Sequence, residues 1–310
     1  MTECRSDNVN TGTRIGNLSY FRYNPDVHAR EKPYEILINL PPRTAQGLPI
    51  KRHNQEFEDH AVAFQDARGR EGNFSLRQNG FCWIKWDGPQ QWRDITPEMI
   101  RRLTLEQVRI SYLVEAEQFL MDELNRQEGE HVDIVKVFDY RLRVYMDSVP
   151  FRGRTLDLDD GRDPLLPVPH PHIDQTPNGA ILRIREHMGD RADELLKRRF
   201  RIINIWRPLK TIRNWPLAVC DATSVDSADL VENDLVRRRY IGESYYSQYN
   251  SGQRWFYLSN QQPGEVTLLK IHDSSSEATA KFALHSAFDF GLPHVGRESF
   301  EVRALVFDKP

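Results

Sequence analysis

The stretch Pro169-His170-Pro171-His172-Ile173-Asp174-Gln175-Thr176-Pro177 carries the reading of the whole chain. It contains His-x-Asp, made by His172 and Asp174. On an extended backbone the two-residue period puts both side chains on one side. Pro171 and Pro177 push the residues before them towards extended conformations. A neutral imidazole from far downstream would complete a set of two histidines and one carboxylate. Such a set leaves open positions on ferrous iron for oxygen and an organic co-substrate. The pattern is weak alone, because a solvated loop histidine beside a turn aspartate reads the same. His170 has the same spacing, so His170, His172 and Asp174 are all candidates for one face.

The C-terminus adds weight. Leu284-His285-Ser286-Ala287-Phe288 precedes a Gly/Pro loop, and then comes the run from Arg297 to Phe307. Composition and alternation predict a strand there. Arg297, Ser299, Glu301 and Arg303 fall on one face, and Phe300, Val302 and Ala304 on the other. An arginine and a serine pointing the same way, shortly after a candidate metal histidine, suit a dicarboxylic co-substrate. The guanidinium takes a carboxylate bidentately and the hydroxyl adds a donor.

With His172-x-Asp174 and His285, Arg297-x-Ser299 resembles the iron(II)/2-oxoglutarate-dependent oxygenases. More narrowly, the chain resembles a fungal hydroxylase/desaturase family related to cephem methoxylases and gibberellin desaturases. The segments that carry the likeness are Asn204-Ile205-Trp206-Arg207-Pro208-Leu209, Pro216 to Asp221, Arg254 to Leu258 and Arg297 to Arg303. The resemblance covers roughly residues 70–308 well and the N-terminus loosely. The resemblance implies Fe(II) on His172, Asp174 and His285, with His170 left at the rim. It implies 2-oxoglutarate with its far carboxylate on Arg297 and Ser299, Arg303 in reserve, and O2 as oxidant. The implied substrate is a small natural-product intermediate or an amino acid, which is hydroxylated, desaturated or oxidatively cyclised. Competing readings are a 2-oxoglutarate-independent iron oxidase, a non-catalytic jelly-roll binding protein and a metal-dependent hydrolase.

Outside these motifs the chain bounds the answer by exclusion. Its 310 residues are 39% hydrophobic and 28% charged, which suits a globular chain with a substantial core. A net charge of −3 and a pI near 6.4 argue against nucleic acid or an anionic membrane as partner. No apolar run is long enough to span a bilayer, and the polar opening Met1-Thr2-Glu3-Cys4-Arg5 predicts no secretory signal. Cys4, Cys82 and Cys220 are an odd, scattered set, which predicts neither a disulfide framework nor a zinc knuckle and fits a reducing cytoplasm.

Residues 1–72 are expected to be a peripheral N-terminal segment, and 73–310 to hold the helices and core of a single oxygenase domain. Thr96-Pro97 predicts a helix start, with amphipathic helix to about Arg126 packed outside a sheet. Val132 to Val144 reads as a strand. Asp157-Leu158-Asp159-Asp160-Gly161 lacks the spacing of a calcium loop. Thr176-Pro177 starts another helical stretch, and Phe200 to Arg207 is a strand. On that strand Ile203, Ile205 and Arg207 share one face, and Ile202, Asn204 and Trp206 the other. Either set would line a cavity, so Arg207, Asn204 and Trp206 join His170 as substrate-binding candidates. Asp226 to Arg239 is expected to form a short helix. Trp255 to Leu258 and Glu265 to Ile271 are expected to pair as a hairpin. His272-Asp273 is a second candidate metal pair, set aside because His285 has Arg-x-Ser downstream. Many strands with helices mostly from the N-terminal half predict a mainly β fold, a double-stranded β-helix or jelly roll. A homodimer is a further expectation.

Overall fold

The computed structural model describes residues 12–38, 40–126, 131–146, 157, 159–238, 240–292 and 294–310. Cys4, Leu158, Arg239 and most of the 147–158 loop lie outside the described residues. The chain begins with β1 (Thr13–Phe21), a short helix α1 (Pro25–His28), β2 (Tyr34–Ile36), β3 (Phe57–Asp66) and β4 (Phe81–Lys85). The helices α2 (Pro97–Arg102), α3 (Leu105–Val108) and α4 (Val114–Asn125) lead into β5 (Val132–Tyr145). A two-residue strand β6 (His172–Ile173) precedes α5 (Pro177–Met188) and α6 (Ala192–Leu195). The remainder is β7 (Phe200–Pro208), β8 (Leu217–Cys220), β9 (Leu230–Val236), β10 (Ile241–Ser247), β11 (Trp255–Tyr257), β12 (Glu265–Asp273), β13 (His285–Ala287) and β14 (Arg297–Asp308).

These strands form two sheets. The larger runs β1-β3-β11-β8-β13-β6-β10-β9-β2, and the smaller β4-β12-β7-β14-β5. The smaller sheet is antiparallel throughout, with β14 at its heart between β5 and β7. Ile203, Ile205, Phe300, Val302 and Ala304 pack with Val108, Tyr112, Ala116, Leu120 and Leu124 of the helical segment. Ile202, Trp206, Leu269 and Leu305 belong instead to the core shared with the larger sheet. The strand alternation read from sequence thus sorts into a helix-facing side and a sheet-facing side.

The helix ends follow local chemistry. The Thr96 hydroxyl accepts from the Met99 N–H with Pro97 at the first helical position. Thr104 and Gln107 close a capping box. The Thr176 hydroxyl accepts from the Gly179 N–H at 2.9 Å, and Gly189, with φ of 52°, ends α5. This cap fixes where β6 gives way to helix, directly after Asp174. Among the described residues no helix is long and apolar enough to cross a membrane.

Three expectations fail. The N-terminal segment is not peripheral: β1 and β3 extend the larger sheet and bury Leu18, Tyr20 and Phe64 completely. Polar residues between the apolar ones hid the edge strand β1 and its inner neighbour β3. The stretch 226–239 is mainly strand β9, not helix. Its acidic middle, Glu232 to Asp234, is flanked by the apolar pairs Leu230-Val231 and Leu235-Val236, and pairing with β10 outweighs charge content. Finally, β11 and β12 do not pair. β11 joins β3 and β8 in one sheet, and β12 joins β4 and β7 in the other. The turn at Gln262-Pro263-Gly264 carries the chain across the sandwich.

Candidate metal centre

β6 and β13 are neighbours in the larger sheet, and His172 and His285 are direct cross-strand partners. Their rings lie 4.3 Å apart between centroids. Ligand atoms of His172, Asp174 and His285 all lie within 4.8 Å of one another. Each histidine uses Nδ1 to hold a main-chain carbonyl two residues back: His170 O at 2.8 Å for His172, and Ala283 O at 3.0 Å for His285. A carbonyl only accepts, so Nδ1 carries the proton and Nε2 keeps its lone pair. Burial first, then the nearby His285 ring, pushes the His172 imidazole down to about 3, so it stays neutral.

Asp174 is fixed from the opposite sheet. Its Oδ2 accepts from Asn204 Nδ2 at 2.7 Å, and Arg303 lies against both oxygens at 3.2–3.3 Å. Burial alone would raise this carboxyl. The Arg303 guanidinium outweighs it and holds Asp174 well below the usual carboxylate range. Two imidazoles that present Nε2 and one carboxylate are a fitting donor set for a ferrous ion. With the ion, the set carries a charge near +1, which favours an anionic chelator.

A small cavity of about 20 Å³ joins His172 and His285 to Arg297. His172, His285, Trp206, Arg143, Glu301 and Arg297 supply its polar lining, and Leu217, Leu269 and Ala287 part of its apolar wall. Arg297 is 2% exposed. Its Nε and Nη2 donate to Ser299 Oγ at 3.3 and 3.2 Å, and Nη1 to the Trp215 carbonyl at 2.9 Å. Its guanidinium carbon sits 5.0 Å from the Trp206 ring centre. Among the described residues no carboxylate comes within ion-pair distance of it. Burial, with repulsion from Arg143 second, brings this guanidinium down to about 9, while Glu301 offsets part of the effect. Trp206 Nε1 and Asn204 Oδ1 are buried without a partner among the described residues. Such atoms normally find one, so the slot has the polar inventory of a ligand site.

The other candidates fare differently. Arg207 faces the helices and donates to the carbonyls of Asp87, Trp92 and Pro263 at 2.7, 3.4 and 3.0 Å. It holds loops against the sheet and is not a substrate ligand. Arg303 is committed to Asp174 and Asp139, so it is not in reserve for the co-substrate. His170 stacks on Phe57 at 3.8 Å and its Nδ1 reaches Ser19 O, which turns its ring to the N-terminal strands. Asn204 steadies Asp174, and Trp206 lines the slot. Arg143 was missed, although Asp139, Arg141 and Arg143 form a charged every-second-residue row on the strand read from Val132 to Val144. A wider cavity of about 1200 Å³ touches none of His172, Asp174 and His285. It is lined by Ile173 and Gln175, which alternate with His172 and Asp174, so it lies across the strand from them.

A family model described as "Oxidoreductase/YMDC permease-like domain" matches residues 18–307. Hydroxylase/desaturase efuI of Hormonema carpetanum is 31% identical over 84% of this chain and 90% of its own length. Hydroxylase/desaturase CTB9 of Cercospora beticola is 30% identical over 89% and 88%. A solved structure of a variant of the iron and alpha-ketoglutarate-dependent endoperoxidase NvfI superposes with a TM-score of 0.75 at 25% identity, covering 100% of both chains. The chain belongs to this fungal hydroxylase/desaturase family. It is a jelly-roll Fe(II)/2-oxoglutarate-dependent oxygenase of a small molecule, with O2 as co-substrate.

Proposed function

We propose that His172, Asp174 and His285 hold the iron and that Arg297 with Ser299 takes the far carboxylate of 2-oxoglutarate. One observation carries this reading. A fully buried arginine, without a carboxylate partner among the described residues, shares a slot with two histidines whose Nε2 lone pairs are unprotonated. Bound iron would supply the oxidising chemistry. The chain's own part is placement. Ala283 O and His170 O fix both imidazoles, and Asn204 and Arg303 fix the carboxylate. Leu217, Leu269 and Ala287 exclude water, which strengthens each charge contact in the slot. Whether a substrate is hydroxylated, desaturated or cyclised then rests on its position at the iron.

The substrate class we assign is a natural-product intermediate. The efuI and CTB9 relatives are named hydroxylase/desaturases, and aspirochlorine biosynthesis protein N of Aspergillus oryzae is 41% identical over 43% of this chain and 58% of its own length. The proposal includes one domain across the chain. It also includes a cytoplasmic setting, which suits the buried free thiols of Cys82 and Cys220. No nucleic acid or membrane partner is assigned, in keeping with the net charge of −3. A homodimer is assigned to the exposed Met99, Leu105, Ile110 and Val114 of the helical segment. The test of the site is succinate release from 2-oxoglutarate with Fe(II) and O2. Arg297→Gln should raise the KM for 2-oxoglutarate about tenfold or more. An unchanged KM removes Arg297 from the slot.

A further inference from the structure

The slot has room for about one water molecule. A five-carbon dicarboxylate does not enter it unless a lining side chain moves. Most of the lining is held. His172 and His285 are tied to carbonyls, Arg297 to Ser299 and Trp215, and Leu217, Leu269 and Trp206 are packed in the core. Arg143 and Glu301 hold each other loosely, with Nε to Oε2 at 3.9 Å, beyond hydrogen-bond length. Arg143 also donates Nη1 to the Leu166 carbonyl at 2.8 Å. Glu301 accepts from Asn204 Nδ2 at 2.6 Å, through the same amide group that binds Asp174.

Charge points the same way. Glu301 is the one acid among the residues lining the slot, beside two arginines. A dianion arriving there meets like charge from Glu301 and opposite charge from Arg143 and Arg297. Across the β5–β14 ladder Arg143 is the direct partner of Ser299, so it sits at the end of the slot that receives the far carboxylate. We propose that Arg143 and Glu301 are a displaceable pair: Glu301 holds Arg143 until 2-oxoglutarate enters, and the co-substrate then takes over Arg143 as a second cationic anchor. Glu301 then stays with Asn204 and the nearby Arg303, whose Nε lies 3.8 Å away. Arg143 thus binds the co-substrate directly, and Glu301 is a positioning residue that acts through it. The inference rests on the assignment of this slot to 2-oxoglutarate.

The test is the dissociation constant of 2-oxoglutarate for the anaerobic Fe(II) enzyme, read from the visible charge-transfer band. Arg143→Gln should weaken binding about tenfold or more, with Arg143→Lys recovering most of it. Glu301→Gln should act in the opposite direction and tighten binding roughly threefold or more. In the Arg143→Gln background that gain should shrink, because the two residues act on one contact. A structural pair would weaken binding in both single variants, so weakening by Glu301→Gln overturns the inference. An unchanged constant in Arg143→Gln also overturns it and leaves that arginine to the substrate. Absence of a band in the wild type would instead remove the slot assignment, and this pair with it.

Discussion

Two histidine–aspartate pairs in this chain read alike and end differently. His172 and Asp174 are two residues apart, share a face and meet His285 across the sheet. His272 and Asp273 are adjacent, so strand alternation sends them to opposite sides. Asp273 is consumed by cations: Lys270 Nζ at 2.8 Å and Arg199 Nη2 at 2.9 Å. Asp174 is also charge-paired, but from the opposite sheet by Arg303 and Asn204, which hold it next to two imidazoles with unprotonated Nε2 atoms. A metal centre is thus marked less by its ligand types than by what holds the ligands and what is left unpaired.

The sharpest way to break this contrast is to exchange the pairs' histidines for alanine. His172→Ala should abolish iron-dependent succinate formation, by more than about 100-fold, beyond what loss of an outer partner costs. His272→Ala should leave it unchanged. Loss in both would erase the distinction. Next comes Asp273→Ala, which strands the buried Lys270. It should destabilise the fold by about 3–5 kcal/mol in chemical denaturation, with iron affinity intact. Asn204→Ala should do the converse, lowering Fe(II) affinity about 10- to 100-fold in anaerobic titration with little change in stability.

The smallest effect is in pH. Burial pushes the His272 imidazole down to about 4 from an ordinary 6.5. Between those values the unfolded chain binds a proton that the folded chain does not. Stability of the iron-free protein should therefore fall as pH drops from 6.5 to 4, by on the order of 1 kcal/mol at this partly exposed position. His272→Gln should flatten that part of the profile, measured as denaturation midpoint against pH.

The legible parts of the molecule were those governed by local rules. Thr96-Pro97 and Thr176-Pro177 start helices where their caps demand. The alternation along β7 and β14 separates Asn204, Trp206, Arg297 and Ser299 from Ile203, Ile205, Phe300 and Val302 as read. His172, Asp174 and His285 come together in space. What was hidden depends on partners distant in sequence. Arg207 and Arg303 are each an arginine on a strand, and only the surrounding carbonyls or carboxylates decide their role. The edge strand β1 and its neighbour β3 have diluted patterns because many of their residues stay exposed or half-buried within the sheet. The crossing from β11 to β12 is invisible to a turn signal, which marks a bend and not the sheet to which the chain returns.

The most direct measurement of the central claim is an anaerobic titration of metal-free protein with Fe(II) and then 2-oxoglutarate, followed by visible absorption. A charge-transfer band of a chelated keto acid should form in the wild type, vanish in His172→Ala and need more 2-oxoglutarate in Arg297→Ala. Iron binding without any such band, or a band that survives His172→Ala, would contradict the assignment of the slot and its ligands.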